Sequence, residues 1–120
     1  MNTAPTPQVK KMDHISIGKR TVQMELEAIA DLSARIDQTF HDACELIKQC
    51  KGKVVVTGMG KSGHIGKKIA ATLASTGTPA FFIHPGEASH GDLGMISAND
   101  AVIAISNSGS TAEVVTILPL

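Results

Sequence analysis

Lys53-Val-Val-Val-Thr-Gly-Met-Gly-Lys-Ser-Gly-His-Ile-Gly66 is the stretch on which the reading of this chain turns. Three β-branched residues in a row, Val54 to Val56, predict a short strand that is apolar on both faces. Such a strand belongs in a parallel sheet covered by helices on both sides. It runs straight into a glycine-rich turn, and the turn opens a helix. A helix start carries amide N–H groups without intrahelical partners and the positive end of the helix dipole, so the place suits an anion such as a phosphate. Lys61 adds a mobile positive charge there.

Working outward, Ile65 to about Ser75 continues as a helix with Ile69, Leu73 and the alanines on its packing side. Gly77-Thr78-Pro79 breaks it. Ala80-Phe-Phe-Ile83 reads as a second strand ending at His84-Pro85-Gly86. Residues 87–95 read as a loop of small and polar residues. Ala101 to Ile105 is a third apolar strand, and it feeds Ser106-Asn-Ser-Gly-Ser-Thr-Ala-Glu113 and a helix from Val114 to about Leu118. Strand, helix, strand, loop, strand, helix predicts an α/β fold: a three-layer αβα sandwich around a parallel sheet.

Toward the N-terminus, residues 1–12 read as a flexible tail. From about Ser16 to Cys50 apolar residues recur at steps of three and four (Val22, Leu26, Ile29, Leu32, Ile36, Phe40, Ala43, Ile47). This spacing predicts one long amphipathic helix across residues 13–51, closed by Lys51-Gly52, that serves packing or dimerisation. Residues 52–120 then make an incomplete α/β domain, because three strands form a thin sheet and the chain stops soon after entering its last helix.

Composition narrows the function. Of 120 residues, 42% are hydrophobic and 18% charged, which is ordinary for a globular domain. Eleven basic residues balance eleven acidic ones, so there is no general basic field for nucleic acid. Aromatics are 2%, which leaves no stacking platform for single strands. Cys44 and Cys50 fit no metal-binding or CxxC pattern and read as reduced thiols of a cytoplasmic protein. No apolar leader core and no run of 18 apolar residues suggests secretion or a membrane span.

Two familiar motifs nearly match the opening stretch. A Walker A loop would place its first glycine at Val55, inside the strand, so that reading fails. Gly58-x-Gly60-x-x-Gly63 fits the dinucleotide fingerprint, but His84 stands at the end of the second strand, where a ribose-binding Asp or Glu belongs. The loop after the third strand is more telling. Ser106, Ser108, Ser110 and Thr111 surround Gly109 at a helix start, where hydroxyls and amides ring a phosphate with neutral donors. In a parallel sheet both glycine loops leave the same edge. Together with Lys61, His90 and Glu113 they point to a sugar phosphate.

Ser106-x-Ser108-Gly109-x-Thr111-x-Glu113 resembles the phosphosugar-binding signature of sugar isomerase (SIS) domains. The wider pattern, from Gly58-Met-Gly-Lys-Ser-Gly-His-Ile-Gly66 through Phe82-Ile-His-Pro-Gly-Glu-Ala88 to His90-Gly-Asp-Leu-Gly-Met95, is similar to the D-arabinose 5-phosphate isomerases across about residues 40 to 118. That resemblance implies an aldose–ketose isomerase that interconverts D-ribulose 5-phosphate and D-arabinose 5-phosphate for the octulosonate sugar of lipopolysaccharide. It implies catalytic positions at Lys61 and Glu113, and substrate contacts at Gly77, Thr78, His90, Ser106, Ser108, Gly109, Ser110 and Thr111. It also implies a metal-associated position at His84, with zinc incidental or inhibitory and no cofactor required, and a homotetramer with sites between subunits. Ser110 departs from the pattern, in which Glu is usual. Two further catalytic positions and a tandem CBS pair fall beyond Leu120 in the family, so the 120-residue piece is expected to be inactive alone.

The residue types suit that chemistry. Moving a carbonyl between C1 and C2 needs a base for the adjacent carbon and a cation or acid to hold the enediolate. Glu113 can be the base, Lys61 the cation, and His90 a proton relay or hydroxyl partner. The competing reading is a sugar-phosphate sensor built on the same fold without turnover.

Overall fold

The structure is a computed structural model, and it describes residues 2–6, 11 and 13–119. Of the expected tail, residues 1, 7–10 and 12 lie outside the described residues. The chain divides into two units, Met1–Phe40 and His41–Leu120.

The first unit is dominated by α1 (His14–Ser33), which contains no buried residue. Asp13 caps it: its carboxylate accepts the Ser16 amide N–H at 2.6 Å. The expected single helix through Cys50 is in fact two, because the chain turns at Ala34–Asp37 and restarts as α2 (Gln38–Gln49). The cause is local. The Arg35 amide donates to Leu32 O at 2.9 Å, tightening the end of α1. Asp37 then takes the Thr39 amide at 2.9 Å and the Thr39 hydroxyl at 2.6 Å, as an N-cap does. A cap residue inside an apolar periodicity interrupts the helix without disturbing the pattern.

The second unit holds β1 (Val54–Gly58), α3 (Gly60–Ser75), β2 (Ala80–Ile83), α4 (Pro85–Ala88), a 3-10 turn at Asp92–Met95, β3 (Ala101–Ile105) and α5 (Ala112–Ile117). The three strands are parallel in the order β2-β1-β3. Being central, β1 is buried along its whole length, as its β-branched run predicts. Its side chains alternate between two cores. Val54 and Val56 pack with Ala70, Ile69 and Leu73 of α3, while Val55 packs with Ile83, Ala88 of α4 and Ile117 of α5. Helices therefore lie on both faces, giving the three layers. Each fully buried valine contributes about 1.5–3 kcal/mol. Thr57, the one buried polar residue among those described, donates its hydroxyl to Ile83 O at 2.7 Å and ties β1 to β2.

Gly52 was expected to close the preceding helix. Its place is set by close approach instead, since a Cβ there would meet the Asp100 carboxylate and stand 2.8 Å from Asn99 O. Asp100 takes the amides of Lys53 at 2.7 Å and Ser97 at 2.8 Å, locking the entry of β1 to the entry of β3. No helix among the described residues is long and apolar enough to cross a membrane.

Candidate functional site

The strand order places a crevice at the C-terminal edge of the sheet. From β1 the chain turns into α3 on one face; from β3 it enters α5 on the opposite face. Where neighbouring strands send their helices to opposite faces, the two connecting loops part and leave room for a ligand. Gly58 and Ile105 are direct partners across this switch point, so the glycine turn and the Ser/Thr loop start side by side.

In the glycine turn, the glycines divide the work. A Cβ on Gly63 would stand 2.6 Å from Gly58 O, and one on Gly66 would press on Phe82 and on Val56 at 3.2 Å. These two positions let α3 lie directly on the sheet. Gly60 is different: it has φ of 56°, and nothing lies within 4 Å of a Cβ built on it. It makes the turn and presents open backbone. Helix α3 begins here, earlier than the periodicity suggested, so Lys61 sits in its first turn. Met59 caps the helix without a side-chain hydrogen bond, and the first amides have no side-chain acceptor.

The second loop holds two separate pairs of bonded hydroxyls. Ser106 and Thr111 share a hydrogen bond of 2.9 Å, and the Gly109 amide donates to the Ser106 hydroxyl at 3.0 Å. The Ser110 amide and hydroxyl both reach the Ser108 hydroxyl, at 3.2 and 3.3 Å. Gly109, with φ of 70°, allows the reversal. These hydroxyls and amides lie close together at the helix start, a setting that suits an anion. Glu113 follows in the first turn of α5.

His84 ends β2 at the same edge. Its Nδ1 accepts the Gly86 amide at 3.1 Å as the N-cap of α4. In the neutral ring this leaves the proton on Nε2, so ligation through Nε2 would require the tautomer to change and the cap to break. Among the described residues no group of three or more His, Cys, Asp or Glu could hold a metal ion. His90 lies in the turn after α4, with its amide on Glu87 O at 2.9 Å.

Lys61, His84, the 106–111 loop and Glu113 therefore share one edge of the sheet. Gly77 and Thr78 do not join them. They precede β2, at the N-terminal edge, where Gly77 has φ of 102° and the Thr78 amide donates to Leu73 O at 2.9 Å. There they line a separate cavity of about 550 Å³ with Cys44, Cys50 and Leu73.

Two further residues at the site were not singled out by the sequence. His64 and Lys67 line a cavity of about 190 Å³ with Gly60, Gly63 and His84, and the Lys67 ammonium stands 5.4 Å from the centre of the Phe82 ring. Their spacing from Gly60, at steps of four and three on one helical face, was the available signal.

The fold and the site define a three-layer parallel α/β domain whose switch point carries two loops suited to an anion. Residues 46–120 match the model of the SIS domain, and the chain belongs to that family. Among curated relatives, it is 63% identical over 111 residues to the arabinose 5-phosphate isomerase KdsD of Pseudomonas aeruginosa, covering 92% of this chain and 34% of that one. With the Yersinia pestis arabinose 5-phosphate isomerase KdsD the identity is 62% over 109 residues, covering 91% and 33%. The chain thus spans about a third of the length of these relatives. Among solved structures, an Escherichia coli CFT073 protein in complex with arabinose 5-phosphate superposes with a TM-score of 0.84 at 47% identity, over 90% of this chain and 59% of that one. A Bacteroides fragilis phosphosugar isomerase involved in capsule formation gives 0.70 at 44% identity, over 81% and 54%.

Proposed function

We propose that the protein is an arabinose 5-phosphate isomerase, interconverting D-ribulose 5-phosphate and D-arabinose 5-phosphate in the cytoplasm for lipopolysaccharide octulosonate synthesis. The observation that carries this is the placement of Lys61 and Glu113 at the same sheet edge as a loop of bonded hydroxyls. The chain as a whole, at 47% identity, also superposes on a protein solved with arabinose 5-phosphate.

In this reading the amide and hydroxyls of the 106–111 loop hold the phosphate. Glu113 takes the proton from the carbon beside the carbonyl and delivers it to the former carbonyl carbon, while the hydroxyl proton passes from one sugar oxygen to the other. Lys61 offsets the negative charge that builds on the enediolate oxygen. His90 contacts a sugar hydroxyl. No step needs a metal; zinc on His84 would compete with its capping bond and act, if anything, as an inhibitor. Gly77 and Thr78, remote from the loops of their own chain, reach substrate in a neighbouring subunit of a homo-oligomer, a tetramer by family resemblance.

The test is to supply ribulose 5-phosphate to the protein at its natural length and follow arabinose 5-phosphate. Glu113→Gln is expected to lower kcat by about 100- to 10,000-fold, the range for a general base, with Lys61→Ala close behind. Full activity in both variants overturns the assignment. Tight binding without turnover in the unaltered protein would establish the sugar-phosphate sensor instead.

A further inference from the structure

Thr57 ends the run of valines in β1. Strand alternation puts it on the same face as Val55, toward α4 and α5. It is 0% exposed, and a valine there would have the same shape with no polar atom to bury. The hydroxyl therefore answers to something at its own position. What it meets is the Ile83 carbonyl oxygen, to which it donates at 2.7 Å.

Ile83 is the last residue of β2 and the register partner of Thr57. Here the two strands part, β1 into the glycine turn and β2 into α4. From Ile83 onward a string of short bonds runs to His90. His84 caps α4 by accepting the Gly86 amide N–H at 3.1 Å, and its carbonyl accepts the Ala88 amide at 2.9 Å. The Ser89 hydroxyl donates to Gly86 O at 2.7 Å, and the His90 amide to Glu87 O at 2.9 Å. The Thr57 bond fixes the start of that string to the central strand. The 106–111 loop, which follows β3, does not depend on it.

We propose that Thr57 is a positioning residue: its hydroxyl, through Ile83 O and α4, sets where His90 stands at the substrate. This rests on the isomerase reading, with His90 on a sugar hydroxyl, and adds the buried group that holds His90 there.

Steady-state kinetics of the protein at its natural length test it, with Thr57→Val removing the hydroxyl and Thr57→Ser keeping it. Thr57→Val is expected to raise KM for arabinose 5-phosphate about fivefold, the worth of one neutral hydrogen bond, with kcat little changed. Inhibition by inorganic phosphate, which the 106–111 loop holds, should not move. Thr57→Ser should restore KM, and Thr57→Cys, a weaker donor, should fall between the two. In a His90→Ala background Thr57→Val should add nothing to KM, since the two residues act in one chain of contacts. An unchanged KM in Thr57→Val, an equal loss in Thr57→Ser, or an undiminished effect without His90 overturns the proposal. If Thr57→Val does not fold, the order of Thr57→Ser over Thr57→Cys decides. No turnover in the unaltered protein overturns the isomerase reading alone. The tether is then decided by hydrogen exchange: faster exchange of the Ala88 and His90 amides in Thr57→Val than in Thr57→Ser supports it, and equal exchange overturns it.

Discussion

A Cβ added to Gly63 would lie 2.6 Å from the carbonyl oxygen of Gly58, so the first turn of α3 is seated against the end of β1 with no room for a side chain. The contact is backbone on one side, and backbone cannot swing away as a flexible side chain can. This one approach places Lys61 and the first amides of α3 at the crevice.

Gly63→Ala is accordingly expected to destabilise the protein by about 2 kcal/mol or more, in the range for overpacking a tight site. Gly60→Ala meets open space and faces only the strain of a left-handed backbone, about 1 kcal/mol. Urea unfolding of the two variants checks the order; equal losses would mean that α3 shifts away at little cost.

The Ser106 hydroxyl connects the Gly109 amide to Thr111, so its loss unlinks the phosphate loop. Ser106→Ala should weaken arabinose 5-phosphate binding by about tenfold, the worth of one hydrogen bond to a charged group. It should do so without lowering the unfolding midpoint much. Calorimetric titration measures the first and thermal melting the second.

Asp100 is held below its ordinary value of 3.8 by the amide N–H groups of Lys53 and Ser97. A carboxylate with a depressed folded-state value contributes stability above its unfolded value, and the contribution fades as pH falls through the lower folded one. The unfolding midpoint should therefore drop below about pH 4, and Asp100→Asn should flatten that acid limb. An unchanged limb in the variant would assign the loss to other carboxylates, such as the helix caps Asp13 and Asp37, which are depressed in the same direction by hydrogen bonds from Ser16 and Thr39.

If Gly77 and Thr78 act in a neighbouring subunit, two defective variants should complement each other. Glu113→Gln and a Thr78 variant that abolishes turnover, mixed one to one and reassembled, would form hybrid sites with both parts intact. For pairwise sites the expected recovery is about a quarter of normal activity. No recovery would place both residues in the same chain's site, or Thr78 outside it.

Much of the fold could be read from residue order. The run Val54–Val56 required a strand covered on both faces, and the apolar runs at 80–83 and 101–105 required two more. The hydroxyls at 106–111 marked a polar loop at a helix start, and the structure has one there. These features are local: a side-chain period or a cluster of donors carries its meaning within a few residues. The break at Ala34–Asp37 was harder to see, because the cap formed by Asp37 and Thr39 leaves the apolar period intact across it. Other facts arise only from long-range packing. Gly52 answers to Asp100 from far along the chain, and Gly66 answers to Phe82, so the glycines could be counted but not told apart. Likewise the resemblance gave Gly77 and Thr78 a substrate contact, and only the parallel strands show that they lie at the opposite end of the sheet from Lys61. Which ends meet is a property of strand direction and pairing, and those follow from the burial of β1 between its neighbours.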